Sequence, residues 1–290
     1  LLVHAHPDDE SIATGATMAK YADEGALVTL VTCTLGEEGE VVAPELAHLA
    51  ADKDNALGDR RIDELAASMK VLGVTDHRYL GEPGKYRDSG MIDTPTNDNP
   101  RSFWRADLDE ATRDLVAVVR EVKPQVFVTY DENGAYGHPD HIRAHDVAVA
   151  AFDKAGDASY APELGEPWQP SKLYYTAVPK SLMQAGLDAL KAQGKSLFEG
   201  VESADDIPFA VADDVITTEV DGRAYIGAKR ESLVAHVSQI APDDPLFAFF
   251  DTADEGISFA REHFILAKGP RGPGSGEHNW ESDLFAGLDG

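Results

Sequence analysis

Two short stretches concentrate the residue types that bind metals and move protons: Leu1-Leu-Val-His-Ala-His-Pro-Asp-Asp-Glu10 and Tyr136-Gly-His-Pro-Asp-His141. The first follows straight from apolar residues, and the second follows the apolar run Val126-Phe-Val-Thr-Tyr130. An isolated Asp-Asp pair after a histidine reads as a solvated turn. Two such clusters, each at the end of a strand-like run, instead point to a mononuclear site of two histidines and one carboxylate. That is the ligand set of a catalytic zinc, which keeps one position for water. Adjacent Asp8 and Asp9 cannot easily both aim at one ion from an extended turn, so one is expected to coordinate and the other to reach the attacking water. His138 and His141, three apart, can share one side of a helix start.

The elements that must hold these clusters are readable around them. Leu1 to Val3 form a buried strand, and Pro7, with its fixed φ and missing N–H, ends regular pairing at His6. Ile12, Ala16 and Ala19 recur at helical spacing before a Gly25 cap. Leu27 to Thr34 is a second strand, followed by the acidic loop Gly36 to Glu40. Ile62, Leu65, Ala66 and Met69 mark a helix face stopped by Gly73. His77 to Leu80 is a third strand, and Gly81 to Arg105 is a polar stretch with little periodicity. Asp107 caps a helix that ends at Lys123-Pro124. Val126 to Tyr130 then leads through the second cluster into a helix reaching Phe152. Further on, strands are expected at Lys172 to Val178, Val215 to Val220 and His263 to Lys268, and helices at Ser181 to Gln193 and Tyr225 to Ile240. The Gly/Pro-rich Gly269 to Gly276 reads as flexible.

This alternation predicts an α/β fold with a mostly parallel, Rossmann-like sheet covered by helices on both faces. Residues 1–170 make the catalytic core, and residues 171–290 a smaller α/β extension packed on it as one integrated domain. Ligands bind beyond the carboxyl ends of such strands, where both clusters fall. Nucleotide binding is disfavoured, because the first strand-to-helix turn carries HAHPDDE in place of a Gly-x-Gly-x-x-Gly loop.

HAHPDDE together with GHPDH is the paired signature of the LmbE-like, or N-acetylglucosaminyl-phosphatidylinositol deacetylase-like, zinc hydrolases, and the chain resembles that family over essentially its whole length. Within it, Cys33-Thr-Leu-Gly-Glu-Glu-Gly-Glu40, Arg60-Arg-Ile-Asp-Glu-Leu65, Arg87-Asp-Ser-Gly-Met91 and Trp280-Glu-Ser-Asp-Leu-Phe-Ala-Gly-Leu288 resemble the branch that deacetylates N-acetylglucosaminyl-inositol for mycothiol biosynthesis. The resemblance implies a metal-dependent N-deacetylase with one zinc per chain. Imidazole and carboxylate also suit iron(II). The expected ligands are His6, Asp9 and His141, with Asp8 as general base. His138 and the Tyr136 hydroxyl would stabilise the oxyanion, and Asp140 would hold an imidazole in its working tautomer. The departing amine would be protonated by Asp8 or by a cationic His138. By resemblance, Arg61 and Asp88 contact the substrate, and such a pair offers both donors and acceptors to vicinal diols. His236 and Gln239, three apart on the expected long helix, would reach the pocket rim. Two rival readings are an S-conjugate amidase of the same superfamily and a non-catalytic metal- or sugar-binding module. The second has no use for Asp8 and His138 beside the ligands.

Composition narrows the partners. A net charge of −27, from 52 acidic and 25 basic residues, repels nucleic acid and anionic lipid, so neither is an expected partner; the small-molecule amino-sugar inositol substrate is what the resemblance implies. The single cysteine, Cys33, excludes an internal disulfide framework, reads as a small core residue, and fits a reducing, cytoplasmic setting. No run approaches the ~18 apolar residues of a membrane span. The chain starts without Met at the edge of a strand, so further N-terminal residues are expected.

Overall fold

The computed structural model describes residues 1–196, 200–250 and 258–288. Its first half is a run of strand-helix units. β1 (Leu2–His4) leads to α1 (Asp9–Asp23), β2 (Thr29–Thr32) to α2 (Leu57–Leu72), and β3 (Asp76–Tyr79) to α3 (Leu108–Val122). β4 (Val126–Thr129) then passes through one irregular turn, α4 (Gly134–Gly137), into α5 (Pro139–Lys154). The second half adds β5 (Lys172–Pro179), α6 (Lys180–Ala192), β6 (Ala210–Val211), β7 (Thr218–Asp221), α7 (Ile226–Ala235) and β8 (Arg261–Lys268).

The sheet runs β3-β2-β1-β4-β5-β8-β7, with β6 beside the end of β5. The five strands from β3 to β5 are parallel. β8 is antiparallel to both β5 and β7. The chain works outward from β1 to β3, then returns to place β4 on the other flank of β1. The strand order therefore reverses between β1 and β4, and a crevice opens there at the carboxyl ends. Side-chain alternation divides the core between two faces. Val3, Val31 and Phe127 pack with Leu115 and Val119 of α3 and Val147 and Ala148 of α5. Leu2, Leu30 and Val128 pack with Met18 of α1 and Leu65 and Met69 of α2.

Helix ends follow local chemistry. Asp107 accepts the Glu110 N–H at 2.9 Å and caps α3, and Gly73, with φ 72°, ends α2. Three expectations are corrected. Leu27 is 98 % exposed and lies outside β2, because an apolar residue ahead of the sheet has nothing to pack on. The helix expected to reach Ile240 stops at Ala235, where His236 leaves helical geometry (φ −86°, ψ 55°). Finally, Gly269 to Gly276 is hydrogen-bonded: Ser275 donates its N–H to Trp280 O at 2.8 Å, and Gly272 donates to Glu281 at 2.6 Å.

Glu281 anchors this C-terminal segment. Its fully buried carboxylate also accepts Lys172 Nζ at 2.9 Å, the Tyr174 hydroxyl at 3.0 Å and the Thr218 hydroxyl at 2.7 Å. Removing one partner of a buried ion pair strands the other charge. Glu281→Ala is therefore expected to cost about 3–5 kcal/mol, seen as a lower urea midpoint with an unchanged slope.

Candidate metal centre

Beyond β1 the backbone cannot continue in the sheet at Pro7, and it reverses through Asp8, which has φ 114° and ψ −31°. A non-glycine residue in such a region carries about 1–3 kcal/mol of strain. Asp8 is the N-cap of α1, its carbonyl accepting the N–H groups of Ser11 and Ile12 at 3.0 Å. Asp9, the first helical residue, points back. Its Oδ2 accepts the His6 N–H at 2.8 Å and the Tyr130 hydroxyl at 2.8 Å.

The second cluster leaves the end of β4. His138 caps α5, with its Nδ1 accepting the Asp140 N–H at 3.1 Å, and Pro139 occupies the first turn, where its missing N–H costs nothing. This hydrogen bond settles the His138 tautomer: Nδ1 is an acceptor, so Nε2 carries the proton. One turn later His141 points at the first cluster. The ring centres of His6, His138 and His141 lie 4.6–5.3 Å apart.

His6 Nδ1 and His141 Nε2 stand 3.3 Å and 3.4 Å from the same oxygen, Asp9 Oδ2. Both His141 ring nitrogens are buried without a hydrogen-bond partner. Two buried imidazoles converging on one carboxylate oxygen, one of them without a hydrogen-bond partner, form a donor set that a cation would complete. The donor set therefore fits a divalent ion. Among the described residues, two groupings of three ligand atoms fall within 4.8 Å of one another, His6 with His138 and His141, and His6 with Asp88 and Asp140; Asp9 is in neither and joins the site through its Oδ2 contacts to His6 and His141. In the first, His138 Nδ1 is already committed to Asp140. In the second, Asp140 Oδ2 stands 3.2 Å from His6 Nε2 and accepts the Ser89 N–H at 2.9 Å, while the Ser89 hydroxyl bonds Oδ1. That carboxylate is arranged to orient an imidazole.

The local charges answer one another. Burial opposes charge on His6, but Asp88, Asp140 and Asp9 around it raise its pKa well above the ordinary histidine value. Asp9, despite burial, is held well below the usual carboxylate range by His141 and His6. Asp8 goes the other way: burial lifts it to about 6, against the pull of Arg61. Burial and the two neighbouring imidazoles push His138 down to about 3, which keeps it neutral.

Arg61 is no surface residue. It lies buried and donates to Gly36 O at 2.9 Å, to Pro7 O, and to Asp8 Oδ2 at 3.0 Å. Gly36 must be glycine, because its φ is 65° and a Cβ would meet Arg61 Nη1 at 1.9 Å. Asp88 is buried too, accepting the Gly90 N–H at 2.8 Å and the Glu38 N–H at 3.1 Å, with His6 Nε2 at 3.5 Å. Tyr136, 44 % exposed, sits edge-on to His141 with ring centres 5.0 Å apart. Cys33 is buried and unpaired, and burial raises its thiol pKa, so it is no nucleophile.

Sequence reasoning assigned no role to Ser89 and Tyr130, although each lies inside a quoted run. Tyr130 stacks on His141 with ring centres 4.2 Å apart and donates to Asp9, so one side chain just beyond β4 touches a residue of each cluster. Its signal was a polar-tipped residue closing an apolar strand. Tyr130→Phe keeps the stack and loses the hydrogen bond, and is expected to weaken metal binding about 10–100-fold, measured by competition with a chromophoric chelator. His236 is fully buried beside Glu10 and not at a rim, and Gln239 donates to Ser238 Oγ at 3.2 Å.

Comparison with known proteins shows the family and the fold. Residues 1–152 match the family described as PIG-L: GlcNAc-PI de-N-acetylase. The 1D-myo-inositol 2-acetamido-2-deoxy-alpha-D-glucopyranoside deacetylase of Geodermatophilus obscurus is 55 % identical over 291 residues, covering 100 % of this chain and 98 % of its own. Among solved structures, the N,N'-diacetylchitobiose deacetylase of Pyrococcus horikoshii superposes with TM-score 0.57 at 20 % identity, over 86 % of this chain and 73 % of that one. The 4-carboxy-2-hydroxymuconate hydratase of Pseudomonas putida reaches 0.61 at 18 % identity, over 95 % and 98 %. A deacetylase and a hydratase on one scaffold show that these two likenesses speak for the fold alone.

Proposed function

This chain belongs to the PIG-L, GlcNAc-PI de-N-acetylase family, and we infer that it hydrolyses the acetamide of N-acetylglucosaminyl-inositol to the free amine and acetate, a step of mycothiol biosynthesis. The observation that carries this is the 55 % identity, end to end, with a relative named for that reaction.

For the chemistry, we assign His6, Asp9 and His141 to a divalent ion, zinc by the family resemblance, with iron(II) allowed by the same donors. Bound there, the ion supplies Lewis acidity to the acetamide carbonyl and to the attacking water. Asp8, outside the ligand set and with its pKa near 6, takes the proton of that water as it adds to the carbonyl carbon. His138 presents Nε2–H to the oxyanion, and the Tyr136 hydroxyl is assigned as a second donor. Because His138 is held neutral, Asp8 returns the proton to the departing nitrogen as the C–N bond breaks. Asp140 keeps the His6 imidazole oriented, through the 3.2 Å contact at Nε2. The substrate contacts assigned to Arg61 and Asp88 rest on the resemblance. Arg61 would share its hold on Asp8 with a sugar or inositol hydroxyl.

No helix among the described residues is long and apolar enough to cross a membrane. We place the enzyme in the cytoplasm, on the strength of a lone, buried, reduced cysteine.

The deciding experiment compares metal-reconstituted hydrolysis of N-acetylglucosaminyl-inositol, plain N-acetylglucosamine and a bulky S-conjugate amide, each with a chelated control. Faster, chelator-sensitive cleavage of the inositol conjugate is the expected result. Preference for the S-conjugate would make the chain an amidase of the same superfamily, and inertness toward all three would leave a metal- or sugar-binding module.

A further inference from the structure

Glu10 closes the first cluster without a part in the chemistry above, and His236 lies 226 positions away from it in the chain. Both side chains are fully buried. Glu10 Oε2 accepts the Asp8 N–H at 2.8 Å. Oε1 accepts the hydroxyls of Ser11 at 2.6 Å and Ser68 at 2.9 Å, and His236 Nε2 lies 2.9 Å from it. A carboxylate with this many donors inside the protein is a fixed point. One of those donors is the amide of the residue assigned as base. The φ of 114° at Asp8 persists only where the surroundings over-determine it. Arg61 fixes the carboxylate end of Asp8, and Glu10 fixes its amide end. His236 comes directly after α7, so this contact ties the second half of the chain to the first turn of α1.

We propose that Glu10 and His236 form a positioning pair that holds the backbone of Asp8 in its left-handed conformation and so aims the base at the attacking water. Neither residue touches the substrate. The inference rests on Asp8 being the base, and its test separates the two claims. Four proteins are compared: wild type, Asp8→Ala, Glu10→Ala and the double variant.

A displacement of about 1 Å at a reacting group costs on the order of 100-fold, so Glu10→Ala is expected to lower kcat by about that factor with KM and bound metal little changed. Glu10→Gln keeps an oxygen for the Asp8 amide and retains most of the activity. In the Asp8→Ala background, Glu10→Ala changes the rate by less than about twofold, because the residue through which it acts is gone. If Glu10→Ala does not fold, His236→Gln enters the same cycle, with the same loss of effect once Asp8 is absent. An equal loss with and without Asp8 overturns the positioning pair while leaving the base in place. An Asp8→Ala enzyme that turns over normally overturns the base assignment, and the pair with it.

Discussion

Asp8→Ala is expected to lower kcat by about 10²–10⁴-fold, the range of a positioned general base, while one divalent ion per chain should still bind. The separation follows from how the dipeptide is built. Asp9 turns its Oδ2 toward His6 and His141, whereas Asp8 caps α1 and gives its carboxylate to Arg61 at 3.0 Å. Burial has already raised Asp8 to about 6, so it accepts a proton readily and gives it back. Its loss should fall on kcat, with KM nearly unchanged, because a general base would act in the transition state and not in substrate binding. Metal content by elemental analysis checks the other half. Loss of the ion from Asp8→Ala would exchange the roles of the two aspartates.

The second large effect is at the opposite cluster. His141→Ala is expected to empty the site and to lower activity on the order of 10³-fold or more, since Lewis acidity worth several kcal/mol would go with the ion. The variant should fold normally. Asp9 loses the 3.4 Å contact with His141 but keeps the His6 N–H, the Tyr130 hydroxyl and His6 Nδ1 around its Oδ2, so its carboxylate is not left stranded. The melting temperature without metal should stay near that of the metal-free parent, and the stabilisation that added zinc gives the parent should vanish. His138→Ala makes the contrast: it is expected to keep the metal-induced stabilisation and to lose turnover. If His138→Ala lost the metal and His141→Ala kept it, the ligand and donor roles of the two histidines would be reversed.

Much of the fold was readable because its causes are local. Helix periodicity, the Asp107 cap, the Gly73 stop and the proline after His6 each act within a few residues, and each lands within a residue or two of where it was expected. The misreadings share a different cause. Val234 and Val237 extend an apolar pattern past Ala235, yet both are exposed and the helix ends there, where His236 meets Glu10. Nothing in the sequence marks Glu281 among the 52 acidic residues as a buried one. It is buried because Lys172 and Tyr174 of β5 and Thr218 of β7 converge on it.

At the site, the sequence by itself determined which chemical groups exist and how each cluster turns. His and Asp types, and prolines that stop a strand or start a helix, are properties of adjacent residues. Only the tertiary structure decided which groups meet. Parallel pairing of β1 with β4, Leu2 opposite Val128, brings His6 and Asp9 to His141. Tyr130 then bridges the two clusters, Arg61 leaves the surface to grip Asp8, and His236 reaches Glu10 across 226 positions. Such contacts arise because a buried charge or polar group must find its partner wherever the packed chain brings one, and no spacing along the sequence records where that will be.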